Sequence, residues 1–288
     1  MNPMCNESVG EPKSLVRFGA LDIMLSTVVI KMGGGLITDK SSHKSVKIDV
    51  IDSLAAMASE LVGHGHRVVL VHGAGSFGHL TAKKWNLSGG LDSDIAQGQR
   101  DAVEQVRGDM TELNDHVTNS LNSVGVECVS LPPSKWAIGT GSDFKGNLEP
   151  FSNSPQEVVM VTFGDVVDTD DSSEFGILSG DDLMARISIE VPNVTHSIFL
   201  LGDSPGMLDR PPSKEGANLL EVWSPGVATE TSHNAIEDVT GGIELKSMRA
   251  AQIAVHVPNV WFIDGREPSR VIELVVDDIL PVGTRILP

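Results

Sequence analysis

Short runs of β-branched and aliphatic residues recur along the chain, and most of them stop at a glycine, proline or aspartate. Unbroken apolar runs of this length are typical of strands in a parallel sheet, because such a sheet is covered on both faces. They predict strands over 27–31, 67–71, 126–131, 158–165, 196–201, 260–264 and 284–287, and a returning strand from Phe175 after a polar turn over 168–174. The pattern therefore indicates a sheet made of many buried strands.

Between these runs, apolar residues recur every three or four positions, the spacing that places them on one face of a helix. Helices are predicted over 48–62 and 268–275, between about 238 and 255, and as one long helix or a broken pair between 92 and 124. The stripe in that last segment is typical of core packing. It also suits the wall of an apolar substrate pocket, and periodicity alone does not separate the two.

Glycine, serine, asparagine and proline dominate 134–155, which predicts a loop anchored by Trp136 and Phe144. An aspartate at the end of the strand that begins at Phe175, either Asp181 or Asp182, is expected to cap the helix that follows. The alternative is that this acidic residue orients lysines or a metal beside phosphate groups.

Strands that alternate with helices predict an α/β fold with a parallel sheet. The first strand ends at Met32-Gly-Gly-Gly35, and the second runs into a loop that carries Gly73, Gly75 and Gly78 and ends at His79. A right-handed crossover makes these strands parallel neighbours or near-neighbours. Both glycine loops should therefore emerge at the same carboxyl edge of the sheet, where their amide groups can hold an anion.

The second loop also matches the dinucleotide-binding pattern Gly-x-Gly-x-x-Gly, which leaves an oxidoreductase as an alternative. In a Rossmann unit, however, the next strand follows within about 30 residues, whereas the next convincing strand here is 126–131. Neither loop is a Walker A motif, because neither contains Gly-x-x-x-x-Gly-Lys-Ser/Thr. The spacing therefore argues against dinucleotide binding.

The chain has 288 residues, 40% of them hydrophobic and 21% charged, and a formal net charge of −18 at pH 7. Such an acidic chain is a poor ligand for nucleic acids or anionic membranes, which attract basic surfaces. The first 25 residues are predicted to be an extension before the fold, because they are too short and too polar to span a membrane. Cys5 and Cys128 have no zinc or disulfide spacing, which fits a cytoplasmic protein with reduced cysteines.

Taken together, the motifs resemble the isopentenyl phosphate kinases of the amino acid kinase superfamily. The residues that carry the resemblance run in the family's order from about 27 to the C-terminus: Lys31-Met-Gly-Gly-Gly35, Thr38-Asp-Lys40, His72-Gly-Ala-Gly-Ser-Phe-Gly-His79, Phe163-Gly-Asp165, Ser179-Gly-Asp-Asp182, Asp238-Val-Thr-Gly-Gly242 with Lys246, Ile263-Asp-Gly265 and Gly283-Thr-Arg285. His79 is the sharpest signal, since a histidine there resembles the phosphate-binding residue of isopentenyl phosphate and fosfomycin kinases.

The resemblance implies a three-layer α/β/α sandwich around a mostly parallel sheet over 26–288, with an acceptor-phosphate lobe over about 26–190 and a nucleotide lobe over about 191–288. It also implies a homodimer that transfers the γ-phosphoryl group of ATP to isopentenyl phosphate, a step of isoprenoid biosynthesis. Mg²⁺ would be held mainly by the nucleotide phosphates, and no metal site formed by the protein itself is expected.

Residue by residue, the resemblance implies the following roles. The catalytic residues would be Lys31, Lys40, His79, Asp165 and Lys246. The residues that bind ATP would be Lys31, Gly33, Gly34, Gly35, Gly75, Asp181, Gly206, Gly242 and Lys246. The residues that bind the acceptor would be Gly73, Ala74, Gly75, Gly78, His79, Gly164 and Gly180. Two positions depart from the family's pattern. Gly35 replaces the usual serine, and Asp203-Ser-Pro-Gly-Met207 replaces Asp-x-Asp-Gly-Val near the adenine.

An acceptor that is already a phosphate monoester has a second pKa of about 6, so it needs no catalytic base at neutral pH. The site must instead neutralise and align two anions that repel each other. His79 is therefore expected to bind and orient the acceptor. Three hypotheses stay open at this point: a kinase for this or another phosphomonoester such as the fosfomycin type, a dinucleotide-dependent oxidoreductase, and a catalytically silent nucleotide sensor.

Overall fold

The computed structural model describes residues 26–39, 41–211, 214–227 and 242–288. The extension over 1–25, Lys40 and the stretch 238–241 expected to open a helix lie outside the described residues. The described strands are β1 (Thr27–Met32), β2 (Thr38–Asp39), β3 (Ser45–Val46), β4 (Arg67–His72), β5 (Glu127–Ser130), β6 (Ala137–Ile138), β7 (Lys145–Gly146), β8 (Val158–Phe163), β9 (Asp165–Asp168), β10 (Phe175–Leu178), β11 (Val194–Leu201), β12 (Val222–Trp223), β13 (Asn259–Asp264) and β14 (Gly283–Ile286). The described helices are α1 (Gly34–Ile37), α2 (Ile48–Gly63), α3 (Gly75–Lys84), α4 (Ala96–Ser123), α5 (Glu149–Ser152), α6 (Gly180–Glu190), α7 (Gly242–Ala254) and α8 (Ser269–Val275), with short 3₁₀ turns at Leu87–Gly89 and Pro133–Lys135.

Eight strands form the central sheet in the spatial order β12-β14-β13-β11-β1-β4-β8-β5. Every neighbouring pair is parallel except β13 and β14, so the prediction of a mostly parallel sheet is confirmed. β1 and β4 are direct neighbours, and Met32 at the end of one lies opposite His72 at the end of the other. Both glycine loops therefore leave the same edge of the sheet. The division into an acceptor lobe and a nucleotide lobe stays a prediction.

Helices cover both faces of this sheet, as the sandwich requires. Alternate residues of a strand point to opposite faces, so Val28 and Ile30 of β1 pack into the core shared with α2, α3, α4 and α8, while Val29 packs into the core shared with α6 and α7. The three-layer α/β/α architecture predicted from the motifs is thereby confirmed. Within the described ranges, no helix is both long and apolar enough to cross a membrane.

A second, four-stranded sheet in the order β10-β9-β6-β7 differs from the prediction. β8 ends at Phe163, and the chain then enters β9, which pairs antiparallel with β10 across the predicted polar turn. The stretch 134–155 is also more ordered than a loop, since it contains β6, β7 and α5. These strands have two residues each, too few for a periodic pattern. Trp136 and Phe144 do anchor the stretch, with ring centroids 5.9 Å apart.

The helices settle one open alternative and bring two corrections. α4 is one continuous helix of 28 residues, so the first of the two predicted alternatives is confirmed. The cap of α6 is Ser179, whose Oγ accepts the Asp182 N–H at 3.1 Å, so the prediction that Asp181 or Asp182 caps this helix is wrong. A helix also begins inside the second glycine motif, at Gly75, where we expected a loop as far as His79.

Candidate active site

A cavity of about 520 Å³ opens where β1, β4, β8 and β11 end. Most of the predicted site residues line it: Lys31, Gly33, Gly34, Gly35, Gly73, Ala74, Gly78, His79, Gly164, Asp165, Gly180, Asp181 and Lys246. Two of the described predicted residues do not line it: Gly75 lies at the start of α3, and Gly206 packs against Thr284. Gly242 is the first residue of α7. The fold thus brings residues from 31 to 246 into one site.

The two glycine loops contact each other backbone to backbone. Gly33 donates its N–H to the Leu200 carbonyl at 3.2 Å and Gly73 donates to Met32 at 3.0 Å, so the hydrogen bonding of the sheet continues into both loops. A Cβ atom at Gly73 would lie only 2.8 Å from the backbone nitrogen of Gly34. Only residues without side chains permit this approach. The backbones of the two loops consequently lie in direct contact at the end of β1 and β4.

The helix termini at this edge add to the anion-binding character. Gly75 has φ +50°, a left-handed conformation that costs glycine little, and it begins α3. The Thr38 hydroxyl joins the two loops, because it accepts the Ser76 N–H at 3.0 Å and donates to the Gly34 carbonyl at 2.8 Å. Gly180 begins α6 at the cavity wall. Helix N-termini carry partial positive charge and free N–H groups, which favours phosphate.

Lys31 is the buried cation of the site. Its residue is only 6% exposed, and its Nζ lies 2.5 Å from Asp181 Oδ1. Burial raises the pKa of Asp181, but the positive charges of Lys31, Lys246 and Arg249 outweigh burial and hold that pKa below its usual value. Asp181 is therefore an anion that keeps the Lys31 ammonium at the end of β1.

Asp165 is buried in the cavity wall at the start of β9. Its carboxylate accepts the N–H groups of Val166 at 2.8 Å and Ser134 at 3.2 Å. Burial raises the pKa of Asp165 above its usual value, although these hydrogen bonds act in the other direction. These bonds fix the turn between β8 and β9, next to Gly164.

His72, the last residue of β4, contacts the second glycine loop. Its ring is fully buried and stacks on Phe163 with centroids 4.9 Å apart. Nδ1 lies 3.2 Å from the Gly73 carbonyl and Nε2 lies 3.3 Å from the Asn114 side chain, which bonds in turn to Ser130. Burial lowers the pKa of His72 to about 4, so the ring is neutral at pH 7. The network joins the loop to α4 and β5.

One end of the cavity is apolar. Val106 and Met110 of α4 line it beside Ala82, and Val166 and Ile177 do so from the second sheet. Gly78 lies against this wall, since a Cβ atom there would be 3.3 Å from Met110 Sδ. The stripe on α4 thus serves both as core and as cavity wall. A ligand with a phosphate at the glycine loops and a short apolar tail fits this arrangement.

The cavity also has polar lining residues to which the sequence analysis assigned no role. They are Asp39, Lys47, Asp203 and Ser204. Lys47 donates from Nζ to the Gly35 carbonyl at 3.0 Å. Asp39, Asp203 and Ser204 lie within the segments 38–40 and 203–207 already quoted, whereas Lys47 belongs to no motif. The signal that could have given them a role is their position just after the first glycine loop and β11.

A family model for the amino acid kinase family matches residues 26–264. The chain belongs to the amino acid kinase family. Two relatives are each 30% identical to it, and both are isopentenyl phosphate kinases. The one from Thermoplasma acidophilum matches over 85% of this chain and 94% of its own length, and the one from Methanothermobacter thermautotrophicus over 90% and 98%.

Solved structures agree with this assignment. A crystal structure of the Thermoplasma acidophilum isopentenyl phosphate kinase product complex superimposes on the amino acid kinase fold of this chain with a TM-score of 0.73 and 25% identity. The superposition covers 91% of this chain and all of that one. An acetylglutamate kinase from Trichlorobacter lovleyi, 25% identical over 90% of this chain and 91% of its own, is a more distant relative.

Proposed function

We propose that this amino acid kinase transfers the γ-phosphoryl group of ATP to isopentenyl phosphate and releases isopentenyl diphosphate and ADP. The observation that carries the proposal is the cavity itself, in which amide-rich loops adjoin a short apolar wall formed by Val106 and Met110. The two 30% identical relatives support the same acceptor. A phosphomonoester with a small hydrocarbon tail is the ligand that suits both the glycine loops and the apolar wall.

In the proposed reaction, a nonbridging oxygen of the acceptor phosphate attacks the γ-phosphorus of ATP. A new P–O bond forms there while the bond between the γ-phosphorus and the β,γ-bridging oxygen breaks, and ADP leaves with that electron pair. No proton has to be removed from the dianionic acceptor. The protein therefore contributes placement and charge neutralisation, the two requirements of phosphoryl transfer between anions.

The scheme gives a place to most of the predicted site residues. We infer that His79 and the loop containing Gly73, Ala74 and Gly78 hold the acceptor phosphate, with Gly164 and Gly180 beside them. Lys31 and Lys246 would neutralise the transferred group, and Asp181 would orient Lys31 through the ion pair described above. Gly33, Gly34 and Gly35 would contact the ATP phosphates. Roles for Lys40, Gly75, Gly206, Gly242 and catalytic Asp165 remain predictions.

Mg²⁺ is expected to enter with the nucleotide. Within the part of the chain that the structure describes, no group of three histidine, cysteine or acidic side chains is placed to hold a metal ion. Phosphate oxygens are hard ligands that Mg²⁺ prefers, and it commonly keeps water in its remaining positions. Bound in this way, the ion would supply further neutralisation of the γ-phosphoryl charge.

The test is ADP release with Mg-ATP and a panel of acceptors: isopentenyl, dimethylallyl and geranyl phosphates, fosfomycin and acetylglutamate. We expect the highest kcat/KM for isopentenyl phosphate. A clear preference for fosfomycin or acetylglutamate would refute the proposed acceptor and leave a kinase. No ATP turnover with any member would favour a nucleotide sensor.

We also propose that the enzyme works in the cytoplasm as a homodimer, as the resemblance implies. Light scattering behind size-exclusion chromatography measures the oligomeric state, and a monomer at micromolar concentration would contradict the dimer.

A further inference from the structure

Arg249 lies outside the cavity wall but next to the charges that form it. It belongs to α7, three residues after Lys246, so the two side chains project from neighbouring positions on one helix. Its Nε donates to Asp182 Oδ1 at 2.8 Å, and its Nη1 donates to Gln252 at 2.9 Å. Both side chains of the ion pair are largely buried, with 15% exposure for Arg249 and 6% for Asp182. Such a pair has a defined geometry and little competition from water.

Asp182 is held in turn by the start of α6. Its second carboxylate oxygen accepts the Ser179 hydroxyl at 2.7 Å, and its N–H donates back to that hydroxyl. The preceding residue is Asp181, the partner of Lys31 in the cavity. The ion pair between Arg249 and Asp182 therefore joins two parts of the site: the start of α6, which orients Lys31, and α7, which carries Lys246.

α7 also packs on α6 through apolar side chains. Ala250, Ala251 and Ile253 pack into the same core as Leu183 and Met184 of α6. Hydrophobic attraction is non-directional, whereas a charge-assisted hydrogen bond fixes the relative position of the two groups that it joins. Arg249 and Asp182 supply that directional contact one helical turn from Lys246.

We propose that Arg249 is a positioning residue for phosphoryl transfer, whose ion pair with Asp182 holds α7 so that the Lys246 ammonium faces the cavity. This inference rests on the proposed function, because it assumes that Lys246 acts on the transferred group. Without the guanidinium, Asp182 becomes a buried carboxylate lacking its cation, and α7 loses the contact that directs Lys246 toward the cavity. Withdrawal of Lys246 would slow the transfer and leave the acceptor loops in place.

The experiment compares steady-state kinetics and thermal unfolding of the full chain with those of Arg249→Met, Arg249→Lys and the double variant Asp182→Asn/Arg249→Met. We expect Arg249→Met to lower kcat by about ten- to hundredfold, the cost of misplacing a catalytic group, with KM for isopentenyl phosphate within about threefold of the original. Arg249→Lys should recover most of kcat because it restores a cation. Arg100→Met, which removes the exposed ion pair to Glu174, is the matched control and should change neither quantity.

The double variant separates positioning from stability. Removing both charges eliminates the uncompensated carboxylate, and the asparagine can still accept the Ser179 hydroxyl, so the unfolding midpoint should return toward that of the original chain. We expect kcat to stay low. If kcat recovers together with the midpoint, or if Arg249→Met keeps full kcat, the positioning role is wrong. Should Arg249→Met not fold, the double variant decides by the same criterion. An original chain that is inactive on isopentenyl phosphate would refute the proposed function instead.

Discussion

Replacing Gly73 with alanine tests the contact between the two glycine loops by steric means alone. The added Cβ atom would lie 2.8 Å from the Gly34 nitrogen, whereas ordinary contacts begin at 3.4 Å, so the loops must separate by about 0.6 Å, the difference between the two distances. Neither loop yields easily, because the atoms involved are backbone and both loops are bonded to the sheet. Gly73 has no positive φ, so backbone strain does not add to the effect.

We expect Gly73→Ala to lower kcat/KM by about ten- to hundredfold, since displacements of an ångström or less at reacting groups have effects of this size. Overpacking should also lower the free energy of unfolding by about 1–3 kcal/mol. ADP release and urea unfolding measure the two quantities. Gly108→Ala is the matched control. The new Cβ atom would meet no atom within 4 Å beyond the neighbouring backbone of α4, and helix propensity should make the variant about 0.5–1 kcal/mol more stable.

A Gly73→Ala variant with unchanged kcat/KM for both substrates would refute the close approach of the loops. Activity that is lost only in proportion to the unfolded fraction would also contradict a catalytic reason for the contact. Comparison at a temperature well below both unfolding midpoints separates these outcomes.

Three further predictions concern His79, the apolar wall of the cavity and the buried His72. His79→Ala should leave ATP affinity, measured by calorimetric titration, nearly unchanged and damage use of isopentenyl phosphate; equal damage to both would contradict its assignment. Met110→Ala should enlarge the apolar end, so that kcat/KM shifts toward geranyl phosphate, at a cost of about 2–5 kcal/mol in unfolding free energy; an unchanged acceptor preference would argue against this wall as the tail site. Because the pKa of His72 falls from 6.5 in the unfolded chain to about 4 on burial, the unfolded state binds the proton more readily and stability falls as the pH drops through this window. At pH 5 this proton binding lowers the free energy of unfolding by about 2 kcal/mol relative to neutral pH. The loss should be absent when urea unfolding of His72→Gln is measured against pH.

Much of the fold follows from the sequence because its main elements are long and periodic. The apolar run before Lys31 and the run from Arg67 both read as buried strands, and parallel topology then fixes where their glycine loops emerge. The position of Lys31 at the loop edge follows from the same reasoning. Lys31 meets Asp181, 150 positions along the chain, because α6 begins at the same edge of the sheet. The family resemblance implied this placement, and local patterns did not.

The remaining differences have local physical causes. Ser179 competes with Asp181 and Asp182 for the cap of α6, and it prevails because serine with an acidic residue three positions later forms a reciprocal capping arrangement. Two-residue strands such as β6 are too short to show a period. The Arg249 pair joins residues 67 positions apart, and a single arginine on a helix gives no sign of a buried partner.

Transfer of the γ-phosphoryl group from ATP to isopentenyl phosphate is tested most directly with ATP that carries ¹⁸O in that group. After incubation with isopentenyl phosphate and Mg²⁺, mass spectrometry locates the label. We expect isopentenyl diphosphate to carry it in the terminal phosphoryl group, in amounts equal to the ADP formed. Label that appears in inorganic phosphate, or ATP that remains intact while isopentenyl phosphate is present, would contradict the account.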